Sequence, residues 1–280
     1  MTTRGAVAPT QAEKGRTFRA LHERAGAFII PNPWDAGTAR LLAHLGFEAL
    51  ATTSMGYAFS LGRLDNSLNR EETLTYASAI ASATHLPVSA DLENGFGDSP
   101  QVVAETIKLA AQAGVVGGSI EDATGRSNQP IYGMEEAAER VRAAVASARA
   151  LPFLFTLTAR AENYLHGRPD LNDTIKRLQA YQEAGADVLY APGLATKDDI
   201  AAVVSSVDRP VNALMGLQGV QLTLKELSTI GVRRVSVGSA LCRTALGAFI
   251  RAAREMGEHG TFTFAAEAAN PKEISAIFRT

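Results

Sequence analysis

Four times along the chain a helical stretch runs into a glycine and then a short apolar run: "AHLGFEALATTS", "AAQAGVVGGSIED", "QEAGADVLYAPG" and "STIGVRRVSVGSA". No other feature restricts the possible folds as much. Gly46, Gly114, Gly185 and Gly231 fall where a helix end needs a left-handed residue. The runs that follow are short and near-continuously apolar, as in parallel strands buried on both faces. The same signals predict strands over Phe28–Pro31, Ala49–Thr52, Val88–Asp91, Gly117–Glu121, Phe153–Ala159, Val188–Ala191, Val211–Ala213 and Arg234–Val237. Between them lie helical patterns such as Gln101–Ala113, Glu135–Ala150, Asp173–Ala184, Asp198–Ser206 and Ala240–Met256. Eight alternating β–α units predict a (β/α)₈ barrel, with a doubly wound open sheet as the rival. A helix over 11–25 is expected before the barrel and an extension over 257–280 after it. No low-complexity or charge-rich linker interrupts the chain, so residues 1–280 are expected to form one barrel domain.

Bulk properties narrow the class. A formal charge of −2 provides no basic field for nucleic acid or an anionic membrane. No apolar run approaches the ~18 residues of a membrane span. The first dozen residues, "MTTRGAVAPTQA", have no signal-peptide core and read as a loose end. The one cysteine, Cys242, rules out an internal disulfide framework. A cytoplasmic protein without nucleic-acid or membrane partners is expected.

In a barrel the chemistry lies at the C-terminal ends of the strands. Polar residues collect there: Asn32 and Asp35, Thr53 and Ser54, Glu121 and Asp122, Arg160 and Glu162, and Asn212. The stretch "SADLENGFG" adds Asp91 and Glu93. If the third strand runs that far, both carboxylates face one side and repel each other. A cation would relieve that repulsion, and oxygen-only ligands suit Mg²⁺. Acids after strands three and four facing an arginine after strand five are hard to reconcile with a purely structural role, because burying unpaired charge is costly. Gly95 and Gly97 match no nucleotide fingerprint and read as turn-makers. His44 and His85 read as helix-end residues, and Trp34 and Tyr57 as walls of the mouth.

"DLENGFG" resembles the D-x-D/E-x-G-[FY]-G signature of the isocitrate lyase/phosphoenolpyruvate mutase superfamily. The likeness extends from "IIPNPWDAGTARLLAHLGFEALATTS" through "SLGRLDN", "GSIED" and "LTAR" to "PVNALMG". The resemblance implies a modified barrel whose eighth helix is exchanged between subunits of a homodimer or homotetramer. It also implies a Mg²⁺ site, with Mn²⁺ as a substitute, acting on a small α-keto or 2-hydroxy acid. By position, Asp91 would be the direct metal ligand, with Asp65, Glu93 and Glu121 holding metal-bound waters. Thr53, Ser54, Met55 and Gly56 would grip the substrate carboxylate and keto oxygen. Arg160 would face the carboxylate and enolate, and Asn212 would add a polar contact.

The departures from the family pattern bear on the reaction. Isocitrate and methylisocitrate lyases carry a Lys-[KR]-Cys-Gly-His motif after the fourth strand, with the cysteine as general acid. Here that loop reads "EDATGRSNQPIYG", without Cys or His. Their Pro-Glu pair after the sixth strand is replaced by "APG". The phosphonomutase loop is not matched either, although Arg126 and Asn128 could take the places of its Lys and Asn. His166, in "NYLHGRPD", is the best remaining acid/base candidate. The favoured expectation is a Mg²⁺-dependent lyase or decarboxylase that cleaves a C–C bond beside a keto group through an enolate, oxaloacetate decarboxylation being the simplest case. The alternatives are C–P bond chemistry, as a phosphonopyruvate hydrolase or phosphonomutase, and an α-keto acid binding barrel with little turnover.

Overall fold

The structure, a computed structural model, describes residues 8–279. Most of the leading segment read as a loose end, residues 1–7, and the terminal residue 280 lie outside the described residues. Eight parallel strands form one sheet: β1 (Phe28–Ile30), β2 (Leu50–Ala51), β3 (Val88–Asp91), β4 (Gly117–Glu121), β7 (Thr156–Arg160), β8 (Val188–Tyr190), β9 (Val211–Leu214) and β10 (Arg234–Ser236). They follow the order β1-β10-β9-β8-β7-β4-β3-β2, which brings the first two strands to the sheet's ends. The Ala51 N–H donates to Pro31 O at 3.1 Å and draws those ends together. Asn32 strengthens the seam. Its Oδ1 accepts from the Val237 and Gly238 N–H groups (3.0 and 2.9 Å), and its Nδ2 donates to Thr52 O (3.0 Å). The result is a nearly closed (β/α)₈ barrel, and the open-sheet alternative is excluded.

The helices that wrap the barrel are α2 (Ala36–His44), α3 (Ser54–Ser60), α4 (Arg70–Ser82), α5 (Pro100–Gln112), α6 (Met134–Arg149), α7 (Leu171–Glu183), α8 (Lys197–Ser205) and α9 (Leu224–Thr229). Their starts are chemically marked. Asp35, Asn69 and Thr223 each close a capping box, and Ser99 caps α5 ahead of Pro100. Helix α1 (Gln11–Glu23), itself opened by a Thr10–Glu13 box, stops the lower end of the barrel. Its Phe18 and Leu21 pack with Phe28, Ile30, Ala49 and Val116. Phe18 is fully buried, and truncating such a side chain typically costs about 3–5 kcal/mol. A glycine is needed above it, because a Cβ at Gly117 would lie 2.8 Å from the Phe18 ring and 2.9 Å from Thr156 O.

Some elements depart from expectation. The fifth barrel strand starts at Thr156, not Phe153, since its ladder begins where Thr156 faces Gly117. The loop after β4 is ordered as an antiparallel hairpin, β5 (Ala123–Arg126) and β6 (Gln129–Ile131). Alternation over so few residues gives no sequence signal for it. The last barrel helix, α10 (Ala240–His259), is amphipathic but buries only Cys242. Leu241, Phe249, Ile250 and Met256 stay exposed. Beyond it, a 3₁₀ turn (Thr263–Glu267) leads into α11 (Pro271–Ile277), which returns to α2, where Arg40 donates to Phe278 O at 2.6 Å.

Candidate active site

The upper ends of the strands open into a cavity of about 580 Å³. Five carboxylates line it, Asp65, Asp91, Glu93, Glu121 and Glu162, along with two arginines, Arg160 and Arg234. The barrel ladder places Glu121 opposite Arg160 on neighbouring strands. The Arg160 guanidinium reaches three acids at once. Nη1 lies 2.9 Å from Asp91 Oδ1, Nη2 lies 3.2 Å from Glu121 Oε2, and Nε donates to Glu162 Oε1 at 2.8 Å. It also stands 5.2 Å from the centre of the Tyr190 ring. The other Asp91 oxygen accepts from the Ser54 hydroxyl (2.9 Å) and Ser54 N–H (3.2 Å) at the start of α3.

Glu93 arrives differently from the sequence expectation. The strand ends at Asp91, and the backbone turns with Glu93 in the left-handed region at φ 48°. That conformation is unfavourable for a non-glycine residue, a cost typical of functional turns. The turn remains tied to β4, whose Glu121 N–H donates to Glu93 O at 2.9 Å. Asp91 and Glu93 therefore share the cavity through a strained turn, without the two-residue strand period.

The charges do not balance locally. Burial pushes Glu93 up to about 8, and Asp91 and Asp65 add to the rise. Burial and then Asp91 raise Asp65. Burial also carries Glu121 well above the carboxylate range, although Arg160 opposes it. Burial would lower Arg160, but Glu162, Glu121 and Asp91 override it, so the guanidinium remains charged.

A divalent cation fits this excess of acid. Glu93 Oε1 is buried without a hydrogen-bond partner, an arrangement that is costly unless something neutralises it. Among the described residues no three His, Cys, Asp or Glu side chains converge as a ready direct cage. That suits an ion such as Mg²⁺, which keeps several waters and uses few protein ligands.

The other expected residues divide. Thr53, Ser54, Met55, Asn212 and His166 line the cavity. Thr53 is partly committed: its N–H donates to the Tyr76 hydroxyl and its Oγ1 accepts from Gly56 N–H, both at 3.2 Å. Gly56 does not reach the cavity, because that bond holds its N–H, and a Cβ there would meet Thr53 Cγ2 at 2.6 Å. Asn128 is not in the site either. It is exposed at the tip of the β5–β6 hairpin, and Ala123 and Gly125 face the cavity instead. Asp122 turns away behind Glu121. Its Oδ1 accepts from Glu162 N–H (2.8 Å) and its Oδ2 from Arg177 (3.0 Å) and the Tyr181 hydroxyl (2.5 Å). Tyr190, Ser236 and Arg234 also line the cavity, and the sequence did not single them out. Alternation along "RRVSV" was the available signal, but in a three-residue strand it does not say which arginine points inward.

Comparison with known proteins agrees with this geometry. The phosphoenolpyruvate phosphomutase family model matches residues 18–257. A crystal structure from Burkholderia cenocepacia J2315, assigned provisionally as a lyase/mutase, is 64% identical with a TM-score of 0.95, covering 96% of this chain and 97% of that one. The phosphonopyruvate hydrolase complex with oxalate and Mg²⁺ is 26% identical with a TM-score of 0.84, covering 95% of each chain. An oxaloacetate decarboxylase from Pseudomonas paraeruginosa is 31% identical, covering 85% of this chain and 83% of its own. The 2-methylisocitrate lyase of Escherichia coli is 34% identical over a shorter span, 63% of this chain and 61% of its own.

Proposed function

The chain belongs to the phosphoenolpyruvate phosphomutase family, within the isocitrate lyase/phosphoenolpyruvate mutase superfamily, and from that premise we propose that it is a carbon–carbon lyase. Its reaction cleaves the bond beside the keto group of a small α-keto or 2-hydroxy di- or tricarboxylate, leaving an enolate of pyruvate type. Oxaloacetate decarboxylation is the simplest case. The observation that carries this reading is the Arg160 fork, which spans Asp91, Glu121 and Glu162 inside an acid-rich cavity.

The residues divide the work as follows. Met55, at the start of α3, faces the substrate carboxylate with its backbone donor, while Ser54 steadies the Asp91 carboxylate through its N–H and hydroxyl. Arg160, held in place by three acids, presents fixed positive charge where the enolate oxygen develops. Such preorganised charge is commonly the largest single contribution to catalysis. Asp91, Asp65, Glu93 and Glu121 would hold Mg²⁺, which when bound supplies Lewis-acid stabilisation of the same oxygen. Buried Tyr190 closes one wall and keeps water from Arg160. The hairpin over the site brings no cysteine or histidine, so the chain has no acid beside the leaving carbon there. His166, exposed at the cavity edge, or water returns the proton.

The relatives include both a decarboxylase and a methylisocitrate lyase, so the test compares substrates directly. With Mg²⁺, oxaloacetate should give pyruvate well above the enzyme-free rate, and isocitrate little or no glyoxylate. The missing acid should cost isocitrate cleavage roughly 10²–10⁴-fold. Arg160→Ala should abolish nearly all turnover. Efficient glyoxylate release from isocitrate would overturn the assignment. Phosphate release from phosphonopyruvate without pyruvate from oxaloacetate would move it to C–P chemistry.

A further inference from the structure

Arg234 opens β10 and is 5% exposed, yet it lines the same cavity as Asp91 and Arg160. Its side chain crosses the barrel interior. Nε donates to Asn212 Oδ1 at 3.0 Å, Nη2 to Thr158 Oγ1 on β7 at 3.0 Å, and Nη1 approaches His22 Nε2 at 3.5 Å. Every one of these partners is neutral. His22 Nδ1 lies 2.8 Å from Phe18 O, which leaves Nε2 as the acceptor, and burial holds the ring neutral at physiological pH. Among the described residues no carboxylate pairs with Arg234, while Arg160 takes Asp91, Glu121 and Glu162.

Barrel interiors are usually filled by branched apolar side chains. An arginine buried there without a counter-ion is costly, and apolar residues would fill the space at less cost. Asn212 and Ser236 stand beside it, joined by an Asn212 Nδ2 to Ser236 Oγ bond of 2.9 Å. All three line the cavity. The arrangement is a polar floor with positive charge and no protein anion.

We propose that Arg234, with Asn212 and Ser236, forms an anion subsite on the barrel floor that takes a second carboxylate of the substrate, away from the keto group. This rests on the functional reading above and assigns the residues that recognise the second carboxylate of its di- and tricarboxylate substrates. A guanidinium matches a carboxylate with two parallel hydrogen bonds, so one fixed arginine suffices for recognition.

Calorimetric titration of the Mg²⁺-loaded protein with pyruvate and with 3,3-difluorooxaloacetate tests it. The diacid adds a second carboxylate and two fluorines, and the fluorines act on the keto end alike in wild type and variant, so a change in the preference on substitution reads the carboxylate. The wild type should favour the diacid by at least about tenfold, as a charge-assisted pair would supply. Arg234→Met should remove that preference while pyruvate affinity stays within about twofold. If the methionine variant does not fold, Arg234→Lys makes the same comparison, because it keeps the charge and loses the planar fork; a reduced preference for the diacid is then the expected result. An undiminished preference in the variant, or equal weakening of both ligands, overturns the subsite. Failure of the wild type to bind either ligand would instead overturn the functional reading, and the subsite with it.

Discussion

Glu93 combines a left-handed backbone, burial and an oxygen without a partner, and its acidity gives it a measurable signature. In the unfolded chain it titrates near an ordinary glutamate, whereas folding pushes it up to about 8. The folded state therefore binds more protons than the unfolded one between those values. Stability from this group is full below the unfolded pKa and is lost as pH rises through the folded one. With chelator present, the melting temperature should fall as pH rises from about 5 to 8, and Glu93→Gln should flatten that fall. Added Mg²⁺ should restore stability most at the upper end. A melting temperature insensitive to the substitution across this range would contradict the assignment. At this scale the sequence showed Asp91, Glu93, Glu121 and Arg160, because acids and an arginine after buried strands have few structural uses. It did not show Arg234, whose inward direction depends on strand register. Gly56 and Asn128 were assigned by position, and local hydrogen bonding and exposure take them out of the cavity.

Among the elements, the β5–β6 hairpin is one that the sequence did not reveal, and it has its own tether. Arg126 Nη1 lies 2.9 and 2.8 Å from the two Asp98 oxygens, and the Tyr132 hydroxyl donates to Asp98 at 2.5 Å. Asp98 belongs to the loop that carries Glu93, and buried Arg140 holds that loop through Gly97 O (2.7 Å), Asp98 O and Asn94 O. The hairpin is thus fastened to the acid-bearing turn. The Arg126–Asp98 pair is exposed and contributes at most about 1 kcal/mol, but Asp98→Ala also leaves the hydroxyl of buried Tyr132 without its acceptor, at a further cost of about 1–3 kcal/mol. The substitution should also lower kcat/KM several-fold by freeing the hairpin from the mouth. Steady-state kinetics together with thermal melting would separate the two effects; unchanged kinetics would show that the tether has no part in turnover. The eight β–α units themselves were legible, because short apolar runs of parallel strands buried on both faces alternate with helical patterns, four of them with a glycine at the helix end.

At the scale of the whole molecule, α10 leaves an apolar face uncovered: Phe249 is 71% and Ile250 47% exposed. Phe262 beyond it is 65% exposed. The extension expected over 257–280 packs its α11 against α2 of its own chain. The uncovered area therefore lies mainly on α10. Exposed apolar side chains gathered on one helix favour association, and exchange of this helix between subunits would bury them. Analytical ultracentrifugation at micromolar concentration should give a dimer or tetramer; a 29.6 kDa monomer would contradict it. The candidate site likewise depends on the whole barrel, since Asp91, Glu121 and Arg160 come from three different strands. Its central claim, a cation held at Asp91 beside Arg160 to receive an enolate, is tested most directly by calorimetric titration with oxalate, which mimics that enolate. Oxalate should bind in the presence of Mg²⁺, and binding should vanish with chelator and in Asp91→Ala. It should persist in Glu48→Ala, which breaks only the exposed pair with Arg24 at the far end of the barrel. Equal oxalate affinity with and without chelator, or unchanged affinity in Asp91→Ala, would contradict the claim.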